Sequence, residues 1–365
     1  MDISSFLQFR DVGRHIDDLE TPVPVIDIDV VDRNLSRWQE RCDALGIANR
    51  PHIKTHKLSG LARYQIEKGA RGITVQKLGE AEVMADAGIS DMLLTFNVVG
   101  RQKLDRLAAL AKRSAISVVA DNHDMIAGLS DAARVAGRDI TVLVECDTGA
   151  GRNGVQSPQD ALRLAQAIDQ AQGLRFGGLM TYANAGQRMT ADAFFTDTRK
   201  LLGRSGLEAS VISTGGSPDM WKDDGLAQIT EYRAGTYIYF DRSLAVRGTC
   251  GYDDCALHVL TTVVSRPTLE RALVDAGTKS LTSDLLGLEG YGVVHDLADA
   301  KIYTANEEHG YLDIRGLRAK PAVGDRLMIT PNHVCPVVNL FDEVVFVRGT
   351  EVLGAVKVDA RGRVQ

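Results

Sequence analysis

Between about Thr21 and Tyr239 the chain repeats one two-part unit, a short run of β-branched and apolar residues followed by a stretch with helical spacing. The runs read VPVIDID, PHIK, GITV, MLLT, ISVVA, ITVLVEC, FGGLMT, ASVIS and ITEYRAGTY, and the amphipathic stretches include Arg101 to Ala115, Asp160 to Gln172 and Ala191 to Gly206. Gly, Asn or Asp punctuate most junctions. Strands alternating with helices lie parallel, because each helix carries the chain back to the start of the next strand. Counted from PHIK, eight strands precede the end of the alternation, the number that closes a (β/α)8 barrel of TIM type. A doubly wound open sheet is the alternative.

After about Val246 the pattern changes. HVLTTVVSRP, RALVDAG, GDRLMITP, EVVFVRG and EVLGAVKV are β-rich with no clear helix between them. The expected organisation is therefore an α/β barrel over residues 15–245 and a β-rich domain over 246–365 joined by residues 1–14. With 365 residues there is chain enough to bury both cores.

Charge and composition exclude several classes. Basic residues number 42 against 48 acidic ones, a net charge of -6 with no basic block, which argues against a nucleic-acid partner. Hydrophobic residues at 44% are not gathered into spans, so no membrane association is expected. The opening MDISSFLQFRDVGRHIDDLE lacks a signal-peptide core, and a cytoplasmic location is expected. Cys42, Cys146, Cys250, Cys255 and Cys335 form an odd, sparse set that reads as thiols or metal ligands and not as a disulfide framework. CGYDDCALH has ligand-like spacing without a second cluster and reads as a linker.

The stretch RPHIKTHK places Lys54 at the carboxyl end of the first barrel strand, the face where barrel enzymes carry their active sites. Burial, or cations such as Arg50, His52, His56 and Lys57, would favour a neutral, nucleophilic amine suited to a Schiff base. The bland reading is a basic surface loop. ISTGGSPDM follows the seventh barrel strand, and its Ser213, Thr214, Gly215, Gly216 and Ser217 offer hydroxyls and open backbone N–H groups to a phosphate. The eighth strand ends in Arg233-Ala234-Gly235-Thr236-Tyr237, and the loops after strands seven and eight are the usual phosphate position in this fold. An amine at one side of the mouth and a phosphate cradle at the other suit pyridoxal 5'-phosphate. ECDTGAGRNG supplies Arg152 as a donor to the cofactor's phenolic oxygen, or else is a glycine-rich loop with an exposed arginine. In PNHVCP, His333 and Cys335 project to one face if the segment is a strand, and together favour zinc over magnesium or calcium. A buried cysteine beside a satisfied histidine is the more frequent meaning of such a pair.

Taken in order, RPHIKTHK, QKLGEAE, VECDTGAGRNGV, STGGSP, EYRAGTYIYFD, VDAGTKS, NEEHG and PNHVCP resemble the D-threonine aldolase and D-serine dehydratase family, fold-type III enzymes related to alanine racemase. The resemblance covers nearly the whole chain. It implies that Lys54 carries the cofactor with His52 beside it, and that Thr214, Gly215, Gly216, Ser217, Gly235, Thr236 and Tyr237 hold the phosphate. Arg152 and Tyr182 would contact the cofactor, and His333 and Cys335 would bind a divalent metal, zinc by preference with manganese or magnesium open. A homodimer acting on a small D-amino acid is also implied. His-x-Cys resembles the dehydratases, whereas the tail PVVNLFDEVVFVRGTEVLGAVKVDARG looks more like the aldolases. Asn184, in TYANAG, stands where relatives often have histidine. The expected reaction is retro-aldol cleavage of a β-hydroxy-D-amino acid to glycine and an aldehyde. The alternative is a zinc-dependent dehydratase releasing ammonia, with a racemase or a non-catalytic pyridoxal phosphate-binding protein behind it.

Lys54→Ala is expected to abolish the visible absorbance of the cofactor-loaded protein. Full-intensity absorbance in the variant would refute the assignment.

Overall fold

The computed structural model describes residues 2–225, 227–295, 297 and 299–365, and the chain divides into two compact units. One unit comprises Trp38–Lys54, Gln65–Gly235 and Arg363–Gln365; the other comprises the residues up to Arg37, Thr55–Tyr64 and Thr236–Gly362.

The first unit is built on eight parallel strands: β1 (Ala48–Asn49), β2 (Ile73–Val75), β3 (Asp91–Leu94), β4 (Ala115–Ala120), β5 (Ile140–Glu145), β6 (Leu174–Met180), β7 (Val211–Thr214) and β8 (Glu231–Tyr232). Strand β8 pairs with β1 in parallel. The residues just past β1 complete the closure. Arg50 and His52 donate their N–H groups to the Tyr232 and Ala234 carbonyls at 3.0 and 2.9 Å. On the other flank Ile53 N–H reaches Thr74 O at 2.9 Å and Thr74 N–H reaches Pro51 O at 2.8 Å. PHIK is thus bonded on both sides, as the first strand of a closed (β/α)8 barrel must be.

Local chemistry sets the helices between these strands. In Pro158–Gln170, Ser157 caps the first turn by accepting from Asp160 N–H at 3.1 Å, and Pro158 supplies a ready helical φ. Its buried residues Ala161, Leu164, Ala165 and Ile168 fall at i, i+3, i+4 and i+7, one helical face. Asn122 caps His123–Ala136 through Met125 N–H, as its position before the helical pattern leads one to expect. Leu93, Val119, Leu143 and Met180, one from each of β3 to β6, pack as a single buried cluster. Burying such side chains stabilises by about 1.5–3 kcal/mol apiece.

The second unit carries a nine-stranded, mostly antiparallel sheet. Val23–Asp27 pairs antiparallel with Leu257–Ser265 and parallel with Glu343–Arg348, and the latter forms a hairpin with Glu351–Lys357. Leu19, Val25, Leu260, Val345, Val347 and Val352 pack together beneath it. Three expectations change here. The VPVIDID run, placed with the barrel by a boundary at residue 245, hydrogen-bonds into this sheet, because its partners lie more than two hundred residues onward and leave no local signal. The segment PNHVCP is not a strand. His333 is the extended N-cap of the helix Val334–Leu340, so Cys335 lies in its first turn, where Pro336 lacks no needed N–H. Thr278–Leu281 is a further short helix in the region expected to have none. Among the described residues, no helix is long and apolar enough to cross a membrane.

Gly178 in β6 has φ +144°, and a Cβ there would lie 1.8 Å from the Val211 carbonyl oxygen of β7. Gly178→Ala must push two paired strands apart, and is expected to lower Tm by roughly 5–10 °C. An unchanged melting curve would show that the sheet yields there without cost.

Candidate functional site

In the barrel unit the polar side chains gather where the strands end. Lys54 follows the closing strand with its side chain exposed, not buried as the nucleophile argument assumed. His52 is buried, and its Nε2 meets Gln76 Oε1 at 3.0 Å while its Nδ1 accepts the Lys54 N–H at 3.4 Å. Gln76 is itself fixed by donating to Thr95 O at 3.1 Å and by its own N–H to Glu80 Oε2 at 2.7 Å. Both ring nitrogens of His52 are therefore engaged, which suits a positioning role.

The remaining basic residues of RPHIKTHK do other work. Arg50 lies four residues before Lys54, roughly 13 Å along the strand, and is held by Glu231 Oε2 at 2.5 Å and Asp91 Oδ1 at 2.6 Å. His56 and Lys57 belong to the second unit. There His56 Nδ1 accepts from Leu58 N–H at 3.1 Å, and the Lys57 ammonium lies 3.5 Å from Ala360 O. The expectation that these cations surround Lys54 gives way to structural ties.

The loop after β5 folds around Asp147, whose carboxylate accepts the N–H groups of Gly149, Ala150, Gly151 and Arg152 at 2.8–3.2 Å. Burial pulls Asp147 upward, and these bonds overcome it to leave the carboxyl below its ordinary range. Arg152 is exposed, donates to Asn153 Oδ1 at 3.0 Å, and sits 5.2 Å from the Tyr182 ring centre in cation–π range. Tyr182 in turn borders the loop after β7, where a Cβ on Gly216 would be 3.3 Å from its ring. Gly215 has φ +102°, and a Cβ there would strike the Tyr232 ring at 2.4 Å, so only glycine fits. Tyr232 donates to Gly216 O at 3.0 Å, and Asp219 accepts Gly186 N–H at 2.6 Å, which ties this loop to the one after β6. Ser217 and Gly235 are buried here. Thr214 Oγ1 is buried with no hydrogen-bond partner among the described residues. An orphaned hydroxyl on a glycine-rich turn fits a phosphate, so the residues present suit pyridoxal phosphate.

Two buried charges in this unit carried no assigned role in the sequence reading. Arg233 donates to Ser213 Oγ at 2.7 Å and Thr181 O at 2.8 Å, and burial drops its pKa to about 10 despite Glu231 and Glu145 nearby. Glu145 ends β5, accepts from Asn153 Nδ2 at 2.8 Å, and is pushed up to about 7 by burial, with Asp121 adding to the rise and Arg152 and Arg233 opposing it. A charged residue closing the apolar run ITVLV was the available signal.

In the second unit, Cys335 sits among donors. Thr55 Oγ1 lies 3.2 Å and Thr236 Oγ1 3.8 Å from its sulfur. Tyr237 is buried in the turn that Thr236 opens. Burial would lower the pKa of His333, but its hydrogen bonds to Cys335 and Asp284, with the Asp241 charge, carry it up to about 9. Asp284 Oδ2 holds His333 Nδ1 at 2.8 Å, which fixes the orientation of the ring. Sequence reasoning missed Asp284, which lies 49 residues from its partner. Among the described residues no three His, Cys, Asp or Glu side chains converge to hold a metal. Imidazole and thiol are donors of the kind that fit zinc chemically.

Comparisons with known proteins agree with this geometry. The family described as "Alanine racemase, N-terminal domain" matches residues 26–243, and a serine dehydratase domain matches residues 256–347. D-threonine aldolase of Arthrobacter sp is 34% identical, with 94% of this chain and 93% of that protein aligned. The crystal structure of D-threonine aldolase from Filomicrobium marinum superposes with a TM-score of 0.91 at 34% identity, over 98% of this chain and 100% of that one. A cysteine-to-alanine variant of D-threo-3-hydroxyaspartate dehydratase, solved in a metal-free form, gives 0.85 at 30% identity, over 95% and 99%.

Burial makes ionised Glu145 unfavourable in the folded chain. Stability from its neutral form is complete below the ordinary carboxyl value near 4.5 and is lost as pH rises through about 7. Glu145→Gln is expected to flatten the fall of Tm between about pH 5 and 7.5 in cofactor-free protein. Parallel curves for variant and parent would contradict the burial argument.

Proposed function

The chain belongs to the family of D-threonine aldolases and D-serine dehydratases with an alanine racemase-like barrel, and from that premise we propose that it is a pyridoxal phosphate-dependent lyase cleaving a β-hydroxy-D-amino acid to glycine and an aldehyde. The observation that carries the reading is the similarity to two D-threonine aldolases over more than nine-tenths of the chain.

When bound, the cofactor supplies an electron sink for the pair left at Cα. Lys54 would hold it through its ε-amino group. Thr214, Gly215, Gly216, Ser217 and Gly235 would grip its phosphate, with Thr236 and Tyr237 following in the chain. Arg152 would donate to its phenolic oxygen while Tyr182 steadies the guanidinium. His52, tethered to Gln76, orients the backbone of Lys54. His333 and Cys335 would hold a divalent ion, zinc before manganese or magnesium, whose chemistry is to lower the pKa of a hydroxyl. Asp284 holds the Nδ1 side of His333, and the Thr55 and Thr236 hydroxyls lie beside the sulfur.

Retro-aldol cleavage passes the β-hydroxyl proton to solvent and returns one proton to Cα, which Lys54 would donate as its ammonium. Dehydration instead begins by drawing the Cα proton. Lys54 would be the base for that step, since Asn184 has no basic atom. Cys335, together with the cysteine variant of the related dehydratase, supports dehydration as the second reading. The working form proposed is a cytoplasmic homodimer.

D-Threonine given to metal-reconstituted, cofactor-loaded protein is expected to yield glycine and acetaldehyde in equal amounts, read by product analysis. Release of 2-oxobutanoate with ammonia would establish the dehydratase instead.

A further inference from the structure

The barrel has a second recess, at the amino ends of its strands, away from the end where Lys54 emerges. Its volume is about 290 Å³. Loops at this face of a barrel ordinarily serve stability. Here they bring four arginines together, Arg50, Arg71, Arg138 and Arg175, with three carboxylates, Asp91, Asp139 and Glu231. Arg50 is buried and bound to both Asp91 and Glu231, so that group is matched internally. Arg50 with its two carboxylates carries one negative charge, and Arg71, Arg138 and Arg175 against Asp139 carry two positive, which leaves the recess an excess of one on a chain whose net charge is -6.

A helix dipole accounts for one of the four arginines. Arg138 follows the C-cap of His123–Ala136 and would neutralise that helix end. Arg175 is in strand β6 and points along the rim, donating to Thr141 Oγ1 at 2.6 Å. Ser117 and Ser210 add hydroxyls to the lining. Guanidinium forks and hydroxyls in a recess, where the field is focused, recognise oxyanions. We propose that this recess binds a small metabolite carrying two or more negative charges on carboxylate or phosphate groups, at a site separate from the catalytic face.

The test uses the cofactor-loaded enzyme, so that the phosphate loop is already filled. Its Tm is followed against inorganic phosphate and, separately, succinate, at ionic strength held constant with chloride. A rise of roughly 2–4 °C at saturation is expected in the parent protein. Arg138→Gln with Arg175→Gln should remove most of that rise while leaving the basal lyase rate unchanged, since neither residue belongs to the catalytic machinery. A rise with phosphate alone identifies a phosphate-bearing ligand, and with succinate alone a dicarboxylate. Should the double variant fold poorly, Arg175→Lys keeps the charge but loses the fork, and should weaken the apparent affinity at least threefold. No rise in the parent, or an equal rise in the variants, overturns the proposal.

Discussion

Everything in the barrel unit depends on residues 48–53 being hydrogen-bonded on both flanks, to β8 on one side and to Thr74 on the other. A sheet of eight parallel strands has no edge once this pairing is made. The same pairing fixes direction. Arg50, early in the segment, must face the amino end of the barrel, and Lys54, just past it, must emerge at the carboxyl end.

Along the interior runs a chain of buried polar groups. Arg50 binds Glu231, Glu231 accepts from Ser213 at 2.6 Å, Ser213 accepts from Arg233, and Arg233 reaches Thr181 O. Each buried charge is satisfied by the next. Removing one member of such a pair strands the other, a loss of about 3–5 kcal/mol. This compensation lets Arg233 stay fully buried although burial lowers its pKa to about 10, and at Glu145 the nearby arginines oppose the burial that pushes the carboxyl up to about 7.

The second unit solves a different electrostatic problem. Cys335 and His333 would be costly neighbours if both were neutral and unpartnered. Two threonine hydroxyls lie near the Cys335 sulfur, and the Asp284 carboxylate holds the His333 ring. Tyr239, whose buried hydroxyl has no partner among the described residues, has its pKa pushed up by burial.

By itself the sequence determined the alternation of strand and helix, because side-chain periodicity and capping act over a few residues: eight barrel strands, the Asn122 cap and the glycine-rich turn at Gly215 were all legible. Ordered motifs from RPHIKTHK to PNHVCP were enough to identify the family. Only the tertiary structure decided which charges meet. Arg50 left the side of Lys54 for Glu231, 181 residues away, and His333 found Asp284. The run at Val23 joined strands that begin at Leu257 and Glu343. Such pairings depend on burial, and burial is a property of the closed core that no local stretch of sequence records.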